Sequence, residues 1–328
     1  MQLLVWQDDK LSVDCSQETL HDALQDQQAV VWLDLQITAD DLAQYEDLLT
    51  TEFKLSPLTI HTIKEERERS RLTEQHNYFH LVVYELTFDT TELTATTPKL
   101  DIVFGHNFLV TIHYEPMSWL ANLSQALRND GSMDSMMSRG VPHVLHAVLD
   151  TLVDSYFPVL DDLDDVVDEL ENTTIQTASD NVQGRIFRTK RVMAQMRRTI
   201  SPQIEVINSL ITRTGDFIPA EAEPYFADVH AHLVRTFEVL DSYRDLMSGL
   251  LDVYLTTVSN RLNQVMKQLT IIATIFLPIS FITGVFGQNF GHSPQVEHDA
   301  GYNFWFVLAF MTLVTIVQLW YFKHRKWM

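Results

Sequence analysis

The sequence predicts an α/β domain followed by a long helical stalk and a two-helix transmembrane hairpin. Short runs of branched and aromatic residues alternate with helical patterns up to Pro116, and a helical period of apolar residues then extends from Tyr225. Two apolar runs, Leu269–Phe286 and Phe304–Phe322, follow near the C-terminus. Each run is close to the ~20 residues that an α-helix needs to cross a hydrocarbon core of ~30 Å. We therefore expect a water-exposed domain that feeds a membrane anchor.

The composition excludes one class of partner. The chain of 328 residues has a formal net charge of −21, from 23 basic and 44 acidic residues. Nucleic-acid phosphates require Lys and Arg for neutralisation, so we expect no nucleic-acid partner. An acidic surface raises the local concentration of cations, although acidity that serves solubility alone explains the charge equally well. Cys15 is the only cysteine, which excludes an intrachain disulfide and suits a reducing compartment.

Residues 1–116 form the predicted α/β domain. The pattern indicates strands at Gln2–Trp6, Ala29–Leu35, Tyr78–Phe88, Leu100–Phe104 and Asn107–His113. Helical patterns intervene at Gln17–Gln25, Asp40–Thr51 and Ser56–Glu66. In the last helix Ser56 is the expected cap and Pro57 the first helical residue. Gly105 separates two strand-like runs and predicts a hairpin turn. The alternation of strands and helices predicts a sheet with helices on its faces.

Residues 117–218 are predicted to be a helical pair. Apolar residues recur with a helical period over Pro142–Glu171, and a second helix is expected at about Asn181–Ile211. The first helix carries an acidic stripe, which consists of Asp150, Asp154, Asp161, Asp165 and Asp168. A solvated helix face is the simplest interpretation, and a cation-attracting surface is the alternative. The first half of the second helix is basic, so it could neutralise part of the stripe.

The next segment, residues 219–268, is predicted to be a stalk helix that continues into the membrane. From Tyr225 no proline occurs before Pro278, and apolar residues recur about every 3.5 positions. At 1.5 Å per residue such a helix is ~90 Å long, which one chain of this size cannot bury. We therefore expect the stalk to pack against copies of itself in an oligomer.

The membrane hairpin is predicted to comprise a first span at residues 269–289, a loop at 290–303, a second span at 304–322 and a tail at 323–328. The loop contains no Lys or Arg, whereas the tail begins Lys323-His324-Arg325-Lys326. Basic residues favour the cytosolic side, so we expect the tail and, after two crossings, the N-terminal domain to be cytosolic. Trp305, Trp320 and Tyr321 lie at the ends of the second span, where aromatic residues anchor at the interface.

One face of the first span is smaller and more polar than a simple anchor requires. This polar face consists, at steps of three or four, of Asn263, Met266, Thr270, Ala273, Leu277, Ser280, Gly284 and Gly287. Small-residue packing between helices would also enrich Ser, Thr and Gly. The continuation of the face into Gly287-Gln288-Asn289 favours the lining of a water-filled path. Leu277, Leu269 and Met266 would then form apolar constrictions that gate by dewetting.

The sequence shows no catalytic constellation. It contains no GxxxxGK[ST] phosphate loop and no recognisable nucleophile elbow or triad. We therefore expect no enzyme, and a membrane-anchored enzyme is a remote alternative. The histidine pairs His143/His146 and His230/His232 have no third ligand in view, so we interpret them as ordinary surface or interface histidines.

The run VMKQLTIIATIFLPISFITGVFGQNF, the two-span hairpin and the basic tail closely resemble the CorA family of magnesium channels. FGHNFLVTIHYEP and PYFADVHAH are similar to the cytosolic domain of that family. The resemblance implies a homopentamer in the inner membrane with a cytosolic funnel, in which the first span lines the pore and the second forms an outer ring. It also implies transport of Mg²⁺, with Co²⁺ and Ni²⁺ as lesser substrates.

The Gly-Met-Asn signature of the family corresponds to Gly287, Gln288 and Asn289, which the resemblance implies are the selectivity filter. Mg²⁺ dehydrates reluctantly, and a ring of Asn289 amides can accept hydrogen bonds from its water shell without stripping it. The negative-inside potential would drive entry with ~2.3 kcal/mol per charge per 100 mV. Gln288 replaces the signature Met, and a zinc-transporting branch, ZntB, varies at this position. A ZntB-like Zn²⁺ transporter with proton coupling is therefore the alternative.

The resemblance also implies a cytosolic Mg²⁺ sensor that pairs acidic residues across subunits. Asp228, in the run Tyr225-Phe226-Ala227-Asp228, corresponds to one of them. His61 and Thr62 occupy the positions where the acidic partners are expected. Mg²⁺ prefers carboxylate and other oxygen ligands, so both are weak Mg²⁺ ligands. We expect the regulatory binding of Mg²⁺ to be weaker here than the family pattern implies.

Overall fold

In a computed structural model the chain is described at residues 1–14, 17–38, 42–65, 68–129, 136–176, 179–213, 217–287 and 300–327. These residues divide into two compact units, Met1–Leu251 and Asp252–Met328. The first unit contains the β-sheet and most of the helices, and the second contains the C-terminal part of one long helix and an apolar helix.

The strands of the first unit include all five that the sequence predicts, together with shorter ones that it does not. They are β1 (Gln2–Gln7), β2 (Lys10–Val13), β3 (Val30–Gln36), β4 (Arg71–Glu74), β5 (Phe79–Tyr84), β6 (Thr87–Asp89), β7 (Thr94–Thr96), β8 (Lys99–Phe104) and β9 (Phe108–His113). Among the described residues, seven of them form one sheet in the order β2-β1-β3-β9-β8-β5-β4. The β3–β9 pair is parallel and the other neighbours in this sheet are antiparallel.

The helices cover both faces of this sheet and continue beyond it. They are α1 (Gln17–Gln25), α2 (Leu42–Thr51), α3 (Pro57–Lys64), α4 (Ser118–Asn129), α5 (Val141–Asp154), α6 (Tyr156–Gln176), α7 (Asp180–Arg213), α8 (Glu223–Gly287) and α9 (Ala300–His324). Strand β3 shows how the layers arise, because Val31 and Leu33 belong to the core shared with α1, α2 and α3, whereas Trp32 belongs to the core shared with α4–α8. Side chains that alternate between the two faces of this largely buried strand thus contribute to two cores. The predicted α/β fold with helices on the sheet faces is confirmed.

Two local features form as the sequence predicts. The Ser56 side chain accepts a hydrogen bond from the Thr59 amide at 3.2 Å, and Pro57 starts helix α3. Gly105 lies in the turn between β8 and β9, where a Cβ atom would collide with the ring of Phe108. Any larger residue at this position would have to displace the Phe108 ring, so the turn favours glycine.

The single helix predicted over residues 142–171 is wrong, because the structure contains two helices separated at Ser155. Pro158 has no N–H group, so it cannot donate the helical hydrogen bond to the carbonyl of Asp154. Proline is tolerated in the first turn of a helix, and α6 accordingly begins just before it at Tyr156. The predicted strand over 78–88 is likewise split, into β5 and β6, and β2, β4, β7 and α4 were not predicted.

The second unit consists of α8 from Asp252 onwards and α9. Both helices are long and apolar enough to cross a membrane by length and composition. The Gln318 side chain donates a hydrogen bond to the Thr274 carbonyl at 3.1 Å, and Lys267 Nζ donates to the Lys326 carbonyl at 3.2 Å. The earlier residue of α8 thus contacts the later of the two C-terminal residues, which shows that the two helices run antiparallel. The finer domain boundaries, at residues 116, 218, 268, 289, 303 and 322, stay a prediction.

Candidate functional site

The predicted polar face of the first span forms one continuous surface of α8. With 3.6 residues per turn, its positions from Asn263 to Gly287 fall within an arc of roughly 120°. The face is exposed, and Met266 and Leu277 expose 58% and 71% of their area. Leu269, the other predicted constriction, is 58% exposed beside them. The three apolar candidates therefore share the surface with the polar ones.

The second span covers the opposite face of α8. Ile271, Ile275 and Ile282 are half-buried, whereas the polar face is exposed. The facing stripe of α9 is half-buried at steps of three or four and consists of Val307, Met311, Val314 and Gln318. The polar face is therefore not the surface that packs the two spans together.

Among the described residues, Gly284, Gly287 and Thr270 of the polar face are exposed and not packed against α9. A Cβ atom at Gly284 or Gly287 would meet no atom within 4 Å. The Thr270 hydroxyl donates to the Met266 carbonyl at 2.7 Å, which leaves its lone pairs free to accept hydrogen bonds from water. The contact between α8 and α9 thus does not explain why these residues are small or polar.

The predicted filter lies at the end of this surface. Gly287 is the last residue of α8. Gln288 and Asn289 lie outside the described residues, so their predicted roles stay a prediction.

The residues predicted for the cytosolic sensor differ in how accessible their side chains are to a cation. The Asp228 side chain is 65% exposed on α8, and the His61 side chain is 70% exposed on α3 with Nδ1 3.5 Å from Glu65 Oε1. Thr62 is buried, and its hydroxyl donates to the Leu58 carbonyl and accepts a hydrogen bond from Arg71 Nη2 at 2.8 Å. A cation at Thr62 would face the Arg71 guanidinium, which disfavours that ligand role.

The structure brings together a group that the sequence did not reveal, here called the Asp–His cluster: Asp150, Asp154 and His232. One potential ligand atom from each lies within 4.8 Å of the others. His232 Nδ1 is buried and has no hydrogen-bond partner among the described residues, and its nearest carboxylate oxygen, Asp154 Oδ1, is 3.9 Å away. The predicted sensor residue Asp228 borders the cluster, with Oδ1 3.9 Å from His232 Nε2.

The cluster can be tested for its fit to a metal ion. Two ligands at about 2.1 Å from one ion lie at most about 4.2 Å apart, so small side-chain rotations would bring all three atoms into range. Two carboxylates with one imidazole suit Co²⁺, Ni²⁺ or Zn²⁺ better than Mg²⁺, which prefers oxygen ligands alone. The donor set therefore fits a transition-metal ion.

Burial shifts the pKa of Asp150, a member of the cluster, and of His146 beside it. Burial raises the pKa of Asp150, although His146 opposes the rise and Asp154 adds to it. Burial also lowers the pKa of His146, so this imidazole favours its neutral form. Protons therefore compete with a cation for Asp150 at a higher pH than at an ordinary aspartate.

The family model described as CorA-like Mg²⁺ transporter protein matches residues 27–324 of the chain. The chain belongs to the CorA family. A cobalt/magnesium transport protein CorA from Thermotoga maritima is 32% identical over 276 residues, which cover 84% of this chain and 78% of that protein. The complete structure of the CorA magnesium transporter from Methanocaldococcus jannaschii matches with a TM-score of 0.82 and 21% identity, covering 100% of this chain and 99% of that one.

Membership of the CorA family confirms that the chain is a divalent-cation transporter and membrane protein, not an enzyme. The family also has a zinc branch that matches this chain. A zinc transport protein ZntB from Yersinia enterocolitica is 26% identical over 183 residues, which cover 55% of this chain and 54% of that protein. These relatives together indicate that the transported ion is a divalent cation.

The sequence predicts that Asp150 and Asp154 lie on an acidic stripe, which is either a solvated helix face or a cation-attracting surface, and it shows no third ligand for His232. The two aspartates lie on α5 and the histidine on α8, about 80 positions later. Only the i, i+4 spacing of the aspartates was visible, because no local pattern reports which helices pack together. The acidic stripe was therefore only a weak indication of the Asp–His cluster.

Proposed function

We propose that this CorA-family chain assembles into a homopentameric channel for hydrated divalent cations, chiefly Mg²⁺, with Co²⁺ and Ni²⁺ as lesser substrates. The observation that carries the proposal is the exposed polar face of α8, which points away from the second span. Copies of this face around a common axis would enclose a water-lined path. The relative named as a cobalt/magnesium transport protein supports the choice of ions.

Along this path, polar and apolar rings alternate. Asn263, Thr270 and Ser280 would offer neutral hydrogen-bonding groups to hydrated ions, and Met266, Leu269 and Leu277 would narrow the path with apolar side chains. A hydrophobic constriction closes by dewetting when it is narrow and conducts when it widens. Ala273, Gly284 and Gly287 would widen the path between the rings.

The filter of the proposed channel is Gly287-Gln288-Asn289 at the outer mouth. A ring of Asn289 amides would accept hydrogen bonds from the waters of Mg²⁺, which this ion sheds reluctantly. Gln288 would add a second polar side chain at this point. Both termini would be cytosolic in a multi-pass arrangement in the inner membrane, since the loop lacks basic residues and the tail is basic.

Cysteine accessibility tests the pore face directly, because Cys15 is the only cysteine to remove. In a Cys15→Ser background, Ala273→Cys places a thiol on the polar face, and the matched control Ile275→Cys places one on the face that α9 covers. A charged thiol reagent should block cation uptake into liposomes through Ala273→Cys and leave Ile275→Cys unchanged. Equal block at both positions, or block only at the control, contradicts the assignment of the pore face.

A second experiment addresses the filter. Liposomes that contain a Mg²⁺-sensitive dye should show potential-driven uptake with the wild-type protein and none with Asn289→Ala. Unchanged flux in Asn289→Ala would remove Asn289 from the filter. The proposed drive for a divalent ion is about 4.6 kcal/mol per 100 mV, so uptake should also stop when the potential is clamped at zero in the absence of a gradient.

A ZntB-like Zn²⁺ transporter with proton coupling is the second candidate. The ZntB relative and the imidazole of the Asp–His cluster favour it, because imidazole is a good Zn²⁺ ligand. Zn²⁺ uptake that exceeds Mg²⁺ uptake and requires an inward proton gradient would favour this candidate. Mg²⁺ uptake that ignores a proton gradient would favour the channel.

We further propose that Asp228 and the adjoining Asp–His cluster form a cytosolic cation site of this protein. The support is the distance of 3.9 Å from Asp228 Oδ1 to His232 Nε2 and the buried Nδ1 of that histidine, which has no hydrogen-bond partner among the described residues. His61 would contribute across a subunit boundary as the resemblance implies. Such a site, bathed by the cytosol, would report the intracellular concentration of a divalent cation.

A further inference from the structure

A cavity of about 630 Å³ in the first unit is lined by four arginines. Its walls are Arg69, Ala194, Arg197, Arg198, Ser201, Pro202, Phe237 and Arg244, and none of these residues is acidic. The chain as a whole has 44 acidic and only 23 basic residues, so this concentration of guanidinium groups opposes the overall charge. A local positive field inside an acidic protein selects for a small anion rather than an extended polyanion.

Carboxylates near the cavity neutralise only part of this charge. Asp241 Oδ1 lies 3.2 Å from Arg197 Nη1 and 3.1 Å from Arg244 Nη1, so one oxygen serves two guanidinium groups. This oxygen is buried yet accepts no well-aligned hydrogen bond among the described residues, so both contacts are ion pairs only. Asp245 makes a further pair with Arg244 at 3.0 Å. Four guanidinium groups thus face two carboxylates.

Arg69 and Arg198 remain as exposed cations. Neither has an ion pair in the part of the chain that the structure describes, and both are exposed. They also line a neighbouring cavity of about 650 Å³, to which Glu68, Glu115 and Lys99 contribute as well. The cavity of about 630 Å³ has no acidic residue in its lining, so it is the one that favours an anion. An exposed guanidinium retains N–H donors that can bind an oxyanion in a bidentate manner.

We propose that this arginine-lined cavity binds a small anion with a polyphosphate chain. Guanidinium forks match phosphate oxygens, and the cavity volume lies within the range of small-molecule sites. Ala194, Pro202 and the ring of Phe237 provide an apolar wall beside the arginines, with the Arg197 guanidinium 4.9 Å from the ring centroid. A nucleotide, with a base against this wall, and inorganic tripolyphosphate share the chemistry that the arginines recognise.

Calorimetric titration of the full-length protein in lipid nanodiscs tests the proposal. Inorganic tripolyphosphate and ATP are titrated separately in a Mg²⁺-free buffer near physiological salt, so that chelation does not contribute. Both anions should bind saturably to the wild type, and Arg198→Gln should weaken binding at least tenfold, because it removes charge-assisted hydrogen bonds. Arg69→Gln, which lies outside any helix or strand, should weaken it similarly and serves if Arg198→Gln misfolds.

Arg188→Gln is the matched control, because Arg188 is exposed on the same helix, α7, and does not line either cavity. Its affinity should stay within about twofold of the wild type. Tighter binding of ATP than of tripolyphosphate would identify a nucleotide site, and equal binding would identify the phosphate chain as the ligand. The proposal is overturned if neither anion binds saturably, or if Arg188→Gln loses as much affinity as Arg198→Gln. It is also overturned if Arg198→Gln changes only the oligomer mass, which would show that an acidic segment of a second copy occupies the cavity.

Discussion

Replacing His232 by alanine should separate transition-metal binding from Mg²⁺ binding in the first unit. His232 supplies the only nitrogen donor of the Asp–His cluster, and its Nδ1 is buried without a hydrogen-bond partner among the described residues. A buried polar atom left unsatisfied costs about 1–3 kcal/mol. A bound cation would satisfy this nitrogen and recover that free energy.

The size of the effect follows from this cost. A difference of about 1.4 kcal/mol is tenfold in affinity, so His232→Ala should weaken Co²⁺ and Ni²⁺ binding by about ten- to a hundredfold. Mg²⁺ binding should change less than about threefold, because Asp150, Asp154 and Asp228 keep the oxygen ligands that Mg²⁺ prefers. Titration of the purified protein, with the visible absorption of Co²⁺ as the signal, measures both the affinity and the loss of the nitrogen ligand.

His230→Ala is the control for this experiment. His230 lies on the same helix two positions earlier and is not a member of the cluster. It should leave Co²⁺ affinity unchanged. The reasoning is refuted if His230→Ala and His232→Ala have equal effects, or if His232→Ala weakens Mg²⁺ as much as Co²⁺.

Three further substitutions have defined outcomes. Lys99→Met should destabilise the first unit by about 3–5 kcal/mol, as measured by thermal unfolding. Lys99 Nζ lies 2.9 Å from the buried carboxylate of Asp101, and the substitution removes this cation from the carboxylate. Adding Asp101→Asn should recover part of the lost stability. Arg185→Gln should cost less than about 1 kcal/mol, since its partner Glu169 is exposed. The Arg185 hydrogen bond lowers the pKa of Glu169 below its usual 4.5, so this cost should be present above pH 4.5 and vanish as the pH falls through the lowered pKa. Leu277→Asn should raise cation flux in liposomes, because a polar ring wets the constriction; reduced flux would exclude a gate at this position.

Much of the fold is predictable because its signals are local. The Ser56 cap, Pro57 at the helix start and Gly105 in the hairpin act within a few residues of themselves, and the structure shows each in its expected place. The short strands β2, β4 and β7 have too few residues to establish an alternating pattern. Pro158 was also a local signal, and its missing N–H would have divided α5 from α6.

The candidate sites also differ in whether a local sequence pattern predicts them. The polar face of α8 is a period within one helix, so the sequence could reveal it without knowledge of the fold. The Asp–His cluster needs α5 and α8 to meet, and the arginine-lined cavity needs Arg69, near β4, to meet α7 and α8. Contacts of this kind are set by packing of distant segments, which neither periodicity nor spacing reports.

The proposed channel and the proposed cation site use opposite charge designs, and the energies explain why. Between Asn263 and Gly287 the helix contains no Asp or Glu. A carboxylate 4 Å from a divalent ion would attract it by about 8 kcal/mol at an effective dielectric constant of 20, which exceeds the drive of about 4.6 kcal/mol from 100 mV. A carboxylate ring would therefore bind the ion more strongly than the potential could pull it away. Neutral amides and hydroxyls bind the ion less strongly and let it pass. The Asp–His cluster has the carboxylates that the polar face lacks, so it is suited to retain a cation and report its concentration.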